Sequence, residues 1–208
     1  MTMIGQRVSG DGYTVKCYAG GVLAAVVDGL GHGERAAAAA RNAVSTLEAH
    51  ADESVTSLFR RCHSDLKGLR PTVMALARFN TLEETLTWLS VGNVRGVLLP
   101  WAGHQDPDWR GGTARRGRPL ALSAPYGHLP MVAGTVGAGH LPRLVPVTIP
   151  MHPGDTLVQF TDGVRDDFLE VLAWAGPPQE LADLVLSRYA KGTDDALVLV
   201  TRYKGGVQ

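Results

Sequence analysis

The sequence predicts an α+β fold, a four-layer αββα sandwich of two antiparallel β-sheets with helix pairs on the outer faces. Short apolar strands separated by turn residues fill most of the chain, and helical patterns occur as two pairs, one near each end. This grouping differs from the regular alternation of strand and helix in parallel sheets, and it favours antiparallel sheets covered by helices. With 208 residues, the chain is expected to form a single domain, residues 1–208, around its own core.

The first third of the chain predicts a hairpin followed by two helices. Residues 13–18 alternate in polarity, and the apolar run 22–27 follows after a glycine turn. An alanine-rich helix is predicted over 34–50, because small residues recur on one face and allow close packing on a sheet. A second helix is predicted over 53–67, where apolar residues recur at intervals of three and four.

The rest of the chain predicts further strands, an irregular stretch and a second helix pair. Strands are expected at 72–79, 85–91, 96–99, 144–149, 156–160 and 196–201. The stretch 101–139 is rich in proline and glycine and is expected to form long loops. Its four arginines between 110 and 118 fit either a solvated loop or a docking patch for an acidic partner. Helices are expected over 166–174 and 178–189.

Composition excludes several functional classes. Hydrophobic residues make up 45% of the chain and charged residues 19%, which is not the composition of a disordered protein. Lys and Arg total 20 and so do Asp and Glu, so no overall charge attracts nucleic acid or an anionic membrane. The two cysteines, Cys17 and Cys62, form no C-x-x-C pair, which favours a reducing compartment. Because no signal-peptide pattern is visible, we expect a cytoplasmic protein.

Four aspartates lie at predicted strand ends beside small residues. Asp28 and Asp162 each follow a strand and precede a glycine, and Asp11 and Asp194 each precede a strand. If these strand ends meet, the carboxylates repel one another unless cations lie between them. Ligand sets of oxygen atoms alone suit Mg²⁺ or Mn²⁺. A single Asp-Gly pair is usually a turn, so the fourfold repetition is what predicts a metal site.

Motifs around these aspartates occur in a definite order along nearly the whole chain. They are SGD at 9–11, VVDGLGHG at 26–33, PTVMA at 71–75, VGNVR at 91–95, QFTDGV at 159–164 and GTDDALVLV at 192–200. In this order they resemble the motifs of the metal-dependent protein phosphatases, the protein phosphatase 2C-like family. The opening SGD motif is similar to that of the family's bacterial SpoIIE-like branch.

The resemblance implies a site for two divalent ions, Mn²⁺ or Mg²⁺. By the family's pattern Asp28 bridges both ions, and Gly29 binds one of them through its carbonyl oxygen. Asp162 and Asp194 complete the site of one ion, and Asp11 binds the other. The implied reaction is hydrolysis of phosphoserine or phosphothreonine by a water activated between the cations, with Asp28 and Asp162 as catalytic residues.

Two further catalytic candidates lie where the chain departs from the family's pattern. Leu30 replaces a histidine that many members have after Asp-Gly, and His32 is the candidate acid for the leaving group. The alternative for His32 is a solvated or helix-capping role. Family members outside the SpoIIE-like branch hold phosphate with an arginine four residues before an acidic ligand, so the resemblance implies that Arg7 is the candidate phosphate-binding residue. In a strand Arg7 would share one side with Asp11; the alternative is an ordinary surface arginine. Asp195 is expected to orient a ligand or cap a strand end.

The sequence thus predicts a Mn/Mg-dependent serine/threonine protein phosphatase. Its short length resembles family members that act on phosphorylated STAS-domain proteins of the stressosome in stress-response signal transduction. One alternative is a SpoIIE-like phosphatase of an anti-sigma-factor antagonist. Another is a catalytically weak module that binds phosphoproteins. The protein is expected to be a monomer that binds neither nucleic acid nor membranes.

Overall fold

The structure is a computed structural model that describes residues 1–100, 113–114, 118–119, 127–171 and 176–205. Two of the predictions concern residues that lie partly outside these ranges. One is most of the loop prediction for 101–139, with the side chains of its arginine cluster. The other is the end of the helix predicted over 166–174.

The described strands pair in three antiparallel sheets. They are β1 (Asp11–Tyr18), β2 (Gly21–Gly29), β3 (Thr72–Asn80), β4 (Thr85–Val91), β5 (Arg95–Leu99), β6 (Thr113–Ala114), β7 (Arg118–Pro119), β8 (Gly127–His128), β9 (Val147–Pro150), β10 (Thr156–Phe160) and β11 (Val198–Arg202). Sheet A has the order β1-β2-β3-β4-β9 and sheet B the order β11-β10-β5-β8. The short strands β6 and β7 pair with each other.

Helices cover the outer face of each large sheet. Helices α1 (Glu34–Ala49) and α2 (Val55–Asp65) pack on sheet A, and α3 (Pro178–Tyr189) packs on sheet B. The prediction of a four-layer sandwich is therefore confirmed. No helix among the described residues is long and apolar enough to cross a membrane.

One helix differs in type from the prediction. The segment predicted as a helix over 166–174 forms a 3₁₀ helix at Asp166–Val171. A stretch this short cannot offset the cost of α-helix nucleation, and tight 3₁₀ turns are common in such pieces. The turn places the Phe168 ring edge-on against Phe160, with 5.0 Å between the ring centroids.

Element boundaries shift where capping and proline act. Helix α2 begins at Val55 rather than at 53, because the Ser54 hydroxyl accepts the Ser57 N–H at 3.2 Å and caps the helix. Strand β9 begins at Val147, directly after Pro146, which has no N–H to donate to a neighbouring strand. Strand β1 begins at Asp11, which leaves the preceding residues in turns.

Strand β2 contributes to two core layers at once. Leu23, Ala25 and Val27 pack under α1 and α2, whereas Ala24 and Val26 pack between the two sheets. All five side chains are fully buried, as the period of two along a strand requires when both faces are covered. The end of β2 is therefore held from both sides.

A glycine of sheet B makes room for the largest buried side chain of sheet A. Trp88 of β4 is fully buried, and its indole N–H donates to the Pro130 carbonyl oxygen at 2.9 Å. A Cβ atom at Gly96 of β5 would lie only 2.4 Å from Cη2 of this indole. The two sheets can approach this closely because Gly96 has no side chain where it faces the Trp88 indole.

We expect Gly96→Ala to destabilise the protein by roughly 1–3 kcal/mol, because a methyl group has no room beside the indole. The same change in a Trp88→Leu background should cost much less, since the smaller side chain leaves space. Urea unfolding of the four proteins in this double-mutant cycle measures the coupling. Equal penalties in both backgrounds would show that the two residues do not constrain each other.

Candidate functional site

Three of the predicted aspartates meet at one cavity. Asp28 lies at the end of β2, Asp162 follows β10, and Asp194 precedes β11. The cavity has a volume of about 420 Å³. Its lining residues are Asp28, Leu30, Gly31, Val73, Gly92, Asn93, Ala133, Gly134, Asp162 and Asp194. We call this the aspartate cavity.

The fourth predicted aspartate lies beside Asp28 but borders another cavity. The register of β1 and β2 places Asp11 directly opposite Asp28. Asp11 lines a cavity of about 560 Å³ between β1, α1 and the N-terminal segment, together with Arg7 and Ser9. One oxygen of Asp11, Oδ2, accepts a hydrogen bond from the Thr161 hydroxyl at 2.8 Å. The predicted ligands are therefore divided between two cavities.

Negative charge accumulates at Asp28. Burial raises the pKa of Asp28 most, the carboxylates of Asp11, Asp162, Asp194 and Asp195 add to this shift, and together they bring the pKa to about 8. Burial also raises the pKa of Asp11 to about 7, against the opposing effect of the Thr161 hydrogen bond. Carboxyl groups that are both desolvated and surrounded by like charges hold protons unless a cation replaces them.

Gly29 lies where β2 meets helix α1. A Cβ atom at Gly29 would lie 2.3 Å from the Ala36 carbonyl oxygen, so only glycine fits against the helix at this position. The Gly29 N–H donates to the Gly10 carbonyl oxygen at 3.0 Å. The backbone beside Asp28 is thereby tied to the residue that precedes Asp11.

Asp195 ties the N-terminal segment to the site. Its side chain is 3% exposed, and its two oxygens accept different backbone N–H groups. Met3 N donates to Oδ1 at 2.7 Å, and Gly10 N donates to Oδ2 at 2.6 Å. The sequence predicted that Asp195 orients a ligand or caps a strand end. In the structure Asp195 instead binds the N-terminal segment, which carries Arg7 and leads into Asp11. The spacing of residues along the chain did not indicate this contact.

Two neighbours of Asp162 were not assigned a role from the sequence. The Asn93 amide donates to Asp162 Oδ2 at 2.7 Å, and the Lys191 ammonium donates to the Asp162 carbonyl oxygen at 2.6 Å. Asn93 follows Gly92, which turns the chain with a φ of 97°. A polar residue directly after a turn glycine, within the VGNVR motif, was the available signal in the sequence.

The structure places Arg7 and His32 differently from each other. Arg7 lies in a bend before β1 and not in a strand, so the expectation that it shares a strand face with Asp11 is wrong. Its exposed side chain nevertheless lines the same cavity as Asp11. His32 is exposed in the loop between β2 and α1 and lines neither cavity. Gly33, not His32, is the N-cap residue of α1.

The chemistry of these residues fits hard divalent cations. Within the described ranges, no three His, Cys, Asp or Glu side chains form a compact ligand set for one ion. Asp11 and Asp162 each have one oxygen in a hydrogen bond, to Thr161 and Asn93. The donor set consists of oxygens, and the pKa of Asp28 is raised by burial and by neighbouring carboxylates, whose repulsion a cation would relieve.

Comparison with known proteins identifies the family. The family model described as Stage II sporulation protein E (SpoIIE) matches residues 18–204. The chain is also 32% identical over 94 residues to the phosphoserine phosphatase RsbX of Bacillus subtilis (strain 168). That alignment covers 45% of this chain and 47% of RsbX, so the match spans about half the length of this relative.

Solved structures share the fold over nearly the whole chain. A chain from work on the bacterial stressosome as a modular system for secondary messenger signaling is 26% identical, with a TM-score of 0.81. This match covers 97% of our chain and 95% of the other. RsbX in complex with magnesium is 21% identical, with a TM-score of 0.76 and coverage of 96% and 90%. These relatives support the prediction of a protein phosphatase, and the chain belongs to the SpoIIE family of protein phosphatase 2C-like domains.

Proposed function

We propose that this chain is a single catalytic domain that hydrolyses phosphoserine and phosphothreonine in proteins, with divalent cations as cofactors. The observation that carries the proposal is the meeting of Asp28, Asp162 and Asp194 at one cavity, with Asp11 opposite Asp28. Membership of the SpoIIE family supports it, because similar proteins are named as phosphatases.

The two cavities suggest how the aspartates divide the ions between them. Asp162 and Asp194 would hold one ion and Asp11 the other, Asp28 would contact both, and the Gly29 carbonyl oxygen would bind one of the two. When bound, two divalent cations supply an activated water and neutralise charge on the phosphoryl oxygens. The chain's own part is orientation: Thr161 holds one oxygen of Asp11, and Asn93 holds one oxygen of Asp162.

Arg7 and His32 have different support as catalytic residues. An arginine fork suits a phosphate group, and the exposed side chain of Arg7 beside Asp11 supports a role in binding the phosphoryl group. His32 remains a prediction, since its exposed loop position beside Gly31 and Gly33 gives it no described contact with the aspartates.

For the substrate we propose phosphorylated STAS-domain proteins of the stressosome. Similarity to RsbX and to a chain from stressosome work supports this choice. The SpoIIE family match favours one alternative, an anti-sigma-factor antagonist as substrate. Hydrolysis rates on both kinds of phosphoprotein, with Mn²⁺, with Mg²⁺ and with excess EDTA, distinguish them. Binding without turnover under every metal would instead indicate a phosphoprotein-binding module.

Asp28→Asn should lower phosphatase activity about 100-fold or more, because the central carboxylate loses its charge while keeping its shape. Calorimetric titration with Mn²⁺ should show weaker binding as well. Asp52→Asn removes an exposed carboxylate elsewhere and should leave both measurements unchanged. Full turnover by Asp28→Asn after metal removal and re-addition would contradict the proposed role of Asp28.

The metal-free protein should lose stability as the pH rises. The folded-state pKa values of Asp28 and Asp11, about 8 and about 7, lie above the ordinary aspartate value of 3.8. Each group therefore favours the folded state fully below pH 3.8 and loses this contribution as the pH rises through its folded-state value. Within this window the slope is about −1.4 kcal/mol per pH unit for each group.

Urea unfolding in EDTA between pH 4 and 8 measures this slope for the wild type and for Asp28→Asn. The variant should show a smaller slope, and added Mg²⁺ should flatten the wild-type curve. Parallel curves for the two proteins would mean that Asp28 does not carry the buried charge.

Asp195→Asn should loosen the N-terminal segment. An amide offers one acceptor oxygen where the carboxylate offers two, so one charge-assisted hydrogen bond is lost, a cost of roughly 1.5–3 kcal/mol. We expect trypsin to cut after the exposed Arg7 about tenfold faster or more. The cation concentration for half-maximal activity should also rise, because Gly10 positions Asp11. Asp183→Asn on α3 is the matched control. Unchanged cleavage after Arg7 in Asp195→Asn would show that Asp195 does not hold the N-terminal segment.

A further inference from the structure

A third cavity lies between α2 and the segment 141–144. It has a volume of about 450 Å³ and shares no lining residue with the two cavities beside the aspartates. We call it the cationic groove, and its lining residues are Arg60, His63, Leu141, Pro142, Arg143 and Leu144. Nothing in the proposed phosphatase chemistry uses these residues.

The positive charge of the cationic groove is uncompensated among the described residues. Arg60 and Arg143 are exposed, and neither forms an ion pair with a described carboxylate. The neighbouring Arg61, by contrast, is paired with Glu53. No Asp or Glu is among the described residues that line the groove. Two guanidinium groups are thus available to an anion from outside.

The remaining polar residue of the cationic groove, His63, has one ring nitrogen that can donate a hydrogen bond to a ligand. His63 Nδ1 accepts the backbone N–H of Gly137 at 3.1 Å, so in the neutral imidazole the hydrogen is on Nε2. Gly137 also packs closely on the residue that follows α2, since a Cβ there would lie 2.6 Å from Leu66 Cβ. These two contacts position the chain four residues before Leu141 against the end of α2.

The walls of the groove are apolar. Leu141, Pro142 and Leu144 are half-buried and leave part of their surface open. Guanidinium forks bind carboxylates with two parallel hydrogen bonds, and an apolar wall beside them accommodates aliphatic side chains. The chain as a whole has no net charge, so this local charge is not part of a general basic surface of the kind that nucleic acid requires. We infer that the cationic groove binds an acidic segment of a partner protein.

The groove and the aspartate cavity share one stretch of chain. Ala133 and Gly134 line the aspartate cavity, and residues 141–144 line the groove. Between them Val136 pairs with Thr72 at the start of β3. A partner segment in the groove would therefore contact the same stretch that borders the candidate active site.

Fluorescence anisotropy with two labelled peptides tests the inference without using phosphatase activity. One flexible decapeptide contains four Glu and two Leu, and its counterpart has Gln in place of Glu. The Glu peptide should bind saturably, and the Gln peptide should not. Arg60→Gln and Arg143→Gln should each weaken binding about tenfold or more, since each variant removes charge-assisted hydrogen bonds to a carboxylate. The double variant should abolish binding.

Arg61→Gln is the matched control, because it removes the same charge one residue from Arg60 but outside the groove lining. Its binding should stay within about twofold of the wild type, and circular dichroism should show all variants folded. Four results would overturn the inference. They are no saturable binding of the Glu peptide, equal weakening by Arg61→Gln, full competition by inorganic phosphate, and tighter binding of duplex DNA through the same two arginines.

Discussion

Repulsion between carboxylates is the constraint around which this fold is built. Asp11 and Asp28 lie at the ends of strands, Asp162 and Asp194 lie in the loops after β10 and before β11, and Asp28 experiences the charge of the other three. Bringing such groups together costs free energy, which burial of the strand bodies must offset. Strand β2 provides this stabilising burial next to Asp28, because both of its faces are buried up to the residue before Asp28. The fully buried body of β2 thus supports the crowded carboxylates at its end.

The partners of these aspartates hold them in place without neutralising them. Thr161, Asn93 and backbone N–H groups donate hydrogen bonds to the carboxylates of Asp11, Asp162 and Asp195. None of the ion pairs among the described residues involves an aspartate of this group. Neutral donors fix the orientation of these carboxyl groups without supplying a positive charge. A site arranged in this way remains attractive to cations, whereas a site filled by lysine or arginine would not.

The sequence predicted those features that repeat locally. Periods of two and of three to four residues located the strands and helices of the sandwich, and four strand-end aspartates located the candidate site. It could not predict contacts between distant parts of the chain. Two sets of hydrogen bonds depend on how the sheets stack. They join Asp195 to Met3 and Gly10, and Asn93 to Asp162. Arg7 was expected to share a strand face with Asp11, whereas the chain bends at Arg7 and strand β1 begins only at Asp11.

The grip of Asp195 on the first residues has a consequence for the order of folding. Met3 and Gly10 are separated from Asp195 by 192 and 185 positions, so this closure is among the most non-local contacts in the chain. Contacts of such long range form late, because loop-closure entropy is lost before they contribute any stability. On the ribosome the early segments would emerge long before their acceptor. A nascent chain can build most of sheet A and still lack the closure that holds Asp11, so the candidate site is assembled only after Asp195 has left the ribosome.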